Sequence, residues 1–173
     1  MTTSGLRMLS PGPPGGTPPA DSVTLQLGVT RVFCKADIAD SGLVSGWSES
    51  EEGHTWNDGR ETTLHLWTTP RPSFPCRLMA EGSPYIAEGC RHQNITLYGN
   101  GYRLAHWWLS ENQTKKLSCV IEPEQWLQRS GGGLLKLVWH LPDSRKPFEM
   151  THTQDHRQLG FCFHKLTLTA ATS

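Results

Sequence analysis

The sequence predicts an all-β fold, a two-sheet antiparallel β-sandwich of jelly-roll type, and three observations carry that prediction. Short segments with period-two alternation recur along the chain, and helical periodicity is nearly absent. Gly, Pro and Asn-Gly turn signals separate the segments at close spacing. Thr, Val, Leu and Trp fill them, residue types suited to a pleated, half-buried surface. The 173 residues fit one domain of ordinary size. A closed barrel is the alternative that the same pattern allows.

The first stretch, residues 1–21, holds Pro11, Pro13, Pro14, Pro18 and Pro19 among Gly12, Gly15 and Gly16. It is too poor in apolar groups to offset the entropy of ordering it, and is expected to be a disordered tail with one PxxP match, leaving 22–173 as the folded domain. Val23 to Phe33 alternates as a strand. Leu64 and Leu66 alternate with Thr63, His65 and Trp67 in another, which Pro70, Pro72 and Pro75 end. Cys76–Ala80 and Tyr85–Ala87 read as short strands divided by Glu81-Gly82-Ser83-Pro84. Gln93–Tyr98 is a strand with Ile95 and Leu97 on one face, and Asn100-Gly101 turns it into a hairpin, because both turn residues accept positive φ.

The return strand, Tyr102–Leu109, sets Leu104, His106 and Trp108 against Ala105, Trp107 and Leu109. With both faces largely apolar, it is expected to be covered on two sides or to offer one face to a ligand. Lys116–Ile121 is a further strand, Pro123–Arg129 a single helical turn, and Gly131-Gly132-Gly133 a break. Leu134–His140 alternates again, and Pro142–Pro147 bounds a loop. In the last strand, about Leu159 to Thr169, the apolar phase changes between Phe163 and Leu166, which predicts a bulge near His164 or Lys165. These make eight or nine expected strands, without internal repeat.

Charge excludes some function classes. Sixteen basic and sixteen acidic residues balance, so nothing marks a nucleic-acid partner. No apolar run reaches the ~20 residues that a transmembrane helix needs, and no basic-then-apolar leader opens the chain. Five cysteines, the nearest pair 14 apart, form neither a disulfide framework nor a CxxC motif. Reduced, buried thiols in a cytoplasmic protein are the expectation, with membrane association only through a partner. On that basis the sequons at Asn94 and Asn112 are set aside.

Catalytic chemistry finds little support. His152, Asp155 and His156 are the best metal candidates but lack the helical HExxH pattern, so no metal or other cofactor is expected. Glu49, Glu51, Glu52, Asp58 and Asp155 supply carboxylates for a glycosidase pair, a separation that sequence does not reveal. No nucleophile elbow, phosphate loop or dinucleotide fingerprint occurs. No catalytic residue is therefore assigned.

Seven tryptophans are many for this length. Sugar rings pack their C–H faces on indole while their hydroxyls pair with Asp, Glu, Asn and Arg. Trp47, Trp56, Trp107 and Trp126 are the candidate platforms, with Glu51, Asn57 and Asp58 close by in sequence. The competing reading makes each tryptophan a core or corner residue, since Trp is largely buried on average.

Three motifs occur in order. Gly46-Trp47-Ser48 with Glu51, Trp56 and Gly59 precedes the Leu64–Leu66 strand, Asn100-Gly101 follows with Trp107 or Trp108 after it, and Asp155-His156-Arg157-Gln158-Leu159-Gly160 precedes the last strand. Together, over about residues 43 to 169, they resemble a β-sandwich domain found at the C-terminus of bacterial membrane glycosyltransferases and cell-surface polysaccharide proteins. Ser50 stands where that pattern has proline. The resemblance implies a place in surface-polysaccharide or glycan metabolism, and with the tryptophan chemistry the expectation is a non-catalytic protein that binds or accompanies polysaccharide in exopolysaccharide or cell-envelope glycan metabolism. Docking on a membrane glycosyltransferase and carboxylate-pair catalysis are the two alternatives. The expected ligand contacts are Trp56, Asn57, Asp58, Trp107, Trp47, Glu51 and Arg157, the first three foremost. Glu51 and Arg157, opposite charges in the first and last motifs, are predicted to pair.

Overall fold

In the computed structural model, residues 16–38, 42–129, 131–151 and 153–172 are described. They form two sheets packed face to face, the sandwich that the alternation predicts. The strands are β1 (Val23–Thr24), β2 (Thr30–Val32), β3 (Leu43–Ser45), β4 (Thr55–Trp56), β5 (Glu61–Thr68), β6 (Cys76–Pro84), β7 (Gln93–Gly99), β8 (Tyr102–Leu109), β9 (Lys115–Ile121), β10 (Leu127–Arg129), β11 (Gly132–His140) and β12 (Phe161–Ala170). One short helix, α1 (Pro147–Thr151), precedes β12. The first sheet runs β1-β5-β11-β7-β8, with β3 beside β5 and β10 beside β11. The second runs β2-β12-β6-β9, with β4 beside β12. Every pairing is antiparallel except β1 with β5.

The core is what period-two alternation places between the sheets. Leu64 and Leu66 of β5, Leu135, Leu137 and Trp139 of β11, and Ile95 and Leu97 of β7 face inward from the first sheet. Leu78 and Ala80 of β6, Leu117 and Ile121 of β9, and Phe161, Phe163, Leu166 and Leu168 of β12 meet them. The bulge expected near His164 is present, the β12–β6 register shifting between Phe163 and Lys165. Each fully buried Leu or Phe contributes ~1.5–3 kcal/mol of burial free energy, so the phase change that keeps both halves of β12 pointing inward is strongly selected.

Three segments differ from the expectation, each for a local reason. Val23–Phe33 is two strands in different sheets, since Gly28, at φ +79°, turns the chain between them. Leu27 and Val29, read as strand residues, are consequently exposed. The divided strand at 76–87 is continuous through Pro84, because Gly82 gives the space that the Phe161 ring occupies. Gly132 and Gly133 are strand residues rather than a break; Trp67 and Arg71 lie where their Cβ atoms would be. Of the helical turn expected over Pro123–Arg129, Pro123–Gln125 forms a 3-10 turn, while Leu127–Arg129 is the strand β10. Of the expected tail, residues 1–15 lie outside the described residues, while Asp21 Oδ2 sits 3.0 Å from His65 Nδ1 on β5.

Candidate functional site

The stretch from Gly46 to Gly59 folds back on itself and closes against the segment before β12. Trp47 bridges Asn57, Ser48 N–H donates to Trp56 O at 3.0 Å, and Asp58 N–H donates to Gly46 O at 2.7 Å. Glycine is required at 46, where φ is +75° and an added Cβ would collide with the Glu61 carbonyl.

Asn57 is the hub of this closure. Its Oδ1 accepts from Gly160 N–H at 2.8 Å and Phe161 N–H at 2.7 Å. Its Nδ2 donates to Gly59 O (2.7 Å) and Gln158 O (3.1 Å), with Ser144 Oγ at 3.2 Å. The residue is completely buried. A side chain with no exposed surface and every polar atom engaged has nothing to give a ligand, which corrects its place among the expected contacts. Asp58 is exposed, but Oδ1 accepts from Gln158 N–H at 2.8 Å, so it too ties the first motif to the last. Trp47 is half-buried against Phe33, Trp139 and Phe163, and its indole N–H donates to Thr63 O at 2.7 Å. It is a corner residue of the core. Trp126 is buried as well.

The predicted pair forms. Arg157 Nη1 lies 3.3 Å from Glu51 Oε1, and the same guanidinium grips Asp155, Nη2 to Oδ2 at 2.7 Å and Nε to Oδ1 at 3.0 Å. The Arg157 hydrogen bonds hold the Asp155 carboxyl below the usual carboxylate range, and Asp155 in turn raises the guanidinium. Glu51 Oε2 continues the chain to His54 Nε2 at 3.2 Å, and the His54 ring is 6.2 Å from that of His164. Burial first, then His54, lowers the His164 pKa. Beside this network Trp56, half-buried, meets Tyr85 edge-on with ring centroids 6.2 Å apart. Trp56, Glu51 and Arg157 thus stand together on the surface, whereas Asn57 and Trp47 lie beneath it.

Trp107 points inward and is packed against the core. Its neighbour Trp108 is the aromatic that faces solvent, 61% exposed, on the outer face of the first sheet. A bulge in the β7–β8 hairpin decides between them: Leu97 pairs Ala105 but Tyr98 pairs Arg103, so Leu104 is the extra residue. Beyond it Ile95 lies opposite Trp107 and Asn94 opposite Trp108. The His92 ring lies along Trp108 at 5.9 Å and 27°. Asp143 Oδ2 accepts from Asn94 N–H at 2.9 Å and Asn94 Nδ2 at 2.7 Å, with His92 Nε2 at 3.7 Å. Burial opposes ionisation of Asp143, but the Asn94 donors, His92 and Arg145 outweigh it and lower the pKa. Next along the same face, His106 Nδ1 lies 2.9 Å from Thr96 Oγ1.

The two aromatic patches share a support. Cys90 Sγ is 3.6 Å from Tyr85 O and 3.8 Å from both His92 O and Asp143 O, tying the loops that carry Tyr85, His92 and Asp143 into one rim. All five cysteines are free; burial pushes the Cys119 and Cys162 thiols up to about 12. Among the described residues, no three of His, Cys, Asp and Glu are grouped to hold a metal ion; His152 lies outside them. No described helix is long and apolar enough to cross a membrane.

No protein-family model and no curated protein sequence matches the chain. Solved structures that align with it include three β-sandwich domains with carbohydrate-binding names. The CBM36-1 domain of a multidomain xylanase from the hindgut metagenome of Trinervitermes trinervoides aligns at TM-score 0.45 and 8% identity, over 84% of this chain and 98% of that one. A family 35 carbohydrate-binding module from an environmental isolate aligns at 0.37 and 10%, over 88% and 89%. A Xyl-CBM35 in complex with a glucuronic-acid-containing disaccharide aligns at 0.36 and 14%, over 85% and 90%. At these scores and identities the likeness decides nothing about ligand or activity.

Proposed function

We propose that this protein is a non-catalytic carbohydrate-binding β-sandwich, with Trp108 as the principal sugar platform. The observation that carries the reading is an indole 61% exposed on a rigid sheet face, flanked by hydrogen-bonding side chains. The C–H face of a pyranose stacks on the Trp108 ring. Asn94, Asp143, His92 and His106 surround it with donors and acceptors for hydroxyls. Because Asp143 is ionised and its Oδ2 already orients Asn94, the polar groups are arranged before the ligand arrives, which lowers the ordering cost of binding. Trp56 and Tyr85, with Glu51 and Arg157 beside them, give a second contact along the same rim for a longer chain.

The motif resemblance supports a biological setting. The first and last motifs, which meet through Glu51–Arg157 and Asp58–Gln158, are the ones that resemble the polysaccharide-associated domain, and that resemblance favours a place in cell-envelope or exopolysaccharide glycan metabolism. Docking on a membrane glycosyltransferase is the second reading, favoured by the same motifs.

Titration with a panel of neutral surface-glycan oligosaccharides, followed by tryptophan fluorescence, tests the proposal. Trp108→Ala is expected to abolish the response with thermal stability unchanged, and Trp56→Ala to weaken it. A Trp108→Ala protein that binds as the parent does, or no response to any glycan, overturns it.

A further inference from the structure

A third feature of the rim is electrostatic. Arg60, Ser144, Arg145, Lys146, Glu149 and Gln158 line a pocket of about 460 Å³, within the ~300–1,000 Å³ typical of small-ligand clefts. Three of these residues are cations and one is an anion, in a chain whose total charge is zero. Here, among the described residues, Arg60, Arg145 and Lys146 enter no ion pair within 4 Å, not even with Glu149.

The frame beneath the cations is fixed. Arg145 exchanges two backbone hydrogen bonds with Leu159, each 2.9 Å, and Arg60 O accepts from Leu141 N–H at 2.7 Å. Ser144 is 1% exposed and accepts from Asn57 Nδ2, and among the described hydrogen bonds its hydroxyl proton has no acceptor. Gln158 Nε2 reaches Ser144 O at 3.3 Å. Three like charges held over a rigid floor repel one another, and an anion among them relieves the repulsion and gains charge-assisted hydrogen bonds.

We infer that this pocket is an oxyanion subsite that takes the carboxylate or sulfate group of an acidic glycan. Resting on the carbohydrate-binding reading, the inference names its ligand class: a polysaccharide bearing a uronate or a sulfate ester. The pocket belongs to the same rim as the aromatic patches. Arg145 acts on Asp143 of the Trp108 patch, and Gln158 follows Arg157 of the Trp56 patch. The indoles read the sugar ring and the cations its charge.

Inorganic sulfate is the first probe, in a backbone-amide NMR titration at constant ionic strength set with chloride. Saturable shifts are expected at Ser144, Arg145, Lys146 and Gln158. Arg60→Gln combined with Lys146→Gln should weaken them about a hundredfold, since each hydrogen bond to a charged group is worth roughly one factor of ten and two are lost. Trp108→Ala should leave them unchanged. Shifts that never saturate, or that persist unaltered in the double variant with its circular dichroism intact, overturn the inference. The second probe sets oligogalacturonate and a sulfated oligosaccharide against a neutral oligosaccharide, and the tighter of the two acidic ligands identifies the oxyanion. If neutral glycans bind through Trp108 while sulfate leaves the pocket silent, the anion subsite fails and the carbohydrate reading stands. If sulfate titrates the pocket and no glycan moves tryptophan fluorescence, the carbohydrate reading fails and the anion site stands.

Discussion

Asn57→Ala is the substitution that most directly tests how the sandwich closes. Alanine deletes the acceptor of the Gly160 and Phe161 N–H groups and the donors to Gly59 O and Gln158 O, all at a fully buried position. A buried N–H left without a partner costs ~1–3 kcal/mol. Two orphaned donors at the mouth of β12 therefore cost about 3–5 kcal/mol, after allowing for some water entry at the carbonyls. At ~2–4 °C per kcal/mol for a domain of this size, the melting temperature should fall by about 10 °C or more. Asn57→Asp makes the argument sharper. It keeps Oδ1 in place but turns a carboxylate oxygen toward the Gly59 and Gln158 carbonyls, so the buried acid favours its neutral form and its folded pKa rises above the unfolded value of ~3.9. A raised folded pKa gives stability that is present below the unfolded pKa and lost as pH rises through the folded one. The Asp variant should thus be rescued by acid relative to the parent. Urea denaturation followed by far-ultraviolet circular dichroism, at pH 4 and pH 7, measures both effects. An alanine variant within about 0.5 kcal/mol of the parent, the range of an ordinary surface change, would refute the hub argument.

Three further outcomes are expected. Glu51→Gln should cost under about 1 kcal/mol in a urea melt, because the pair with Arg157 is partly exposed and an exposed pair is worth little; Arg157→Ala should cost more, since it also strips the bidentate contact to Asp155. His164, whose folded pKa is depressed by burial and by His54, contributes stability that is present above the unfolded value of ~6.5 and is lost as pH falls toward the folded pKa; thermal melts across pH 5–7 should show that loss, and His54→Gln should reduce it by removing the imidazole that faces His164. Gly46→Ala should lower stability by more than ~2 kcal/mol, read in the same urea melts, through the positive φ and the clash with the Glu61 carbonyl.

What the sequence shows well is the alternation that builds the core: Leu64 and Leu66, Leu135, Leu137 and Trp139, and the phase change in β12 all end on the faces that the pattern assigns. The approach of the first and last motifs is also legible, because Glu51 and Arg157 carry opposite charges in the two most distinctive motifs. The roles within those motifs are not. An asparagine in a loop reads equally well as a ligand contact or as a buried buckle, and only the positions of Gly160 N–H and Phe161 N–H, a hundred residues away, distinguish the two. Basic clustering at Arg60, Arg145 and Lys146 joins residues some 85 positions apart, and no local pattern announces it.

The choice between Trp107 and Trp108 shows how a single residue redirects a functional reading. In a two-residue Asn-Gly hairpin without irregularity, Gly99 faces Tyr102 and the register counts back from there, so Leu97 would face Leu104 and Asn94 would face Trp107. That count puts Trp107 outward with Asn94 and makes Trp107 the platform. The first two pairs of the hairpin obey it, Gly99 with Tyr102 and Tyr98 with Arg103, and then the bulge inserts Leu104. Gly99 has no side chain, and Leu104 Cδ1 fills that space, 2.7 Å from where a Cβ would stand, so the extra leucine is drawn toward the core rather than left in solvent. Every residue after it changes face. Trp107 joins Ile95 in the core, and Trp108 moves out beside Asn94. Deleting Leu104 should reverse the exchange. In that variant Trp107 takes the outer position, tryptophan emission and quenching report a changed exposure, and the glycan response no longer depends on residue 108. Retention of the parent's Trp108-dependent response in a folded deletion variant would mean that the bulge does not set the platform.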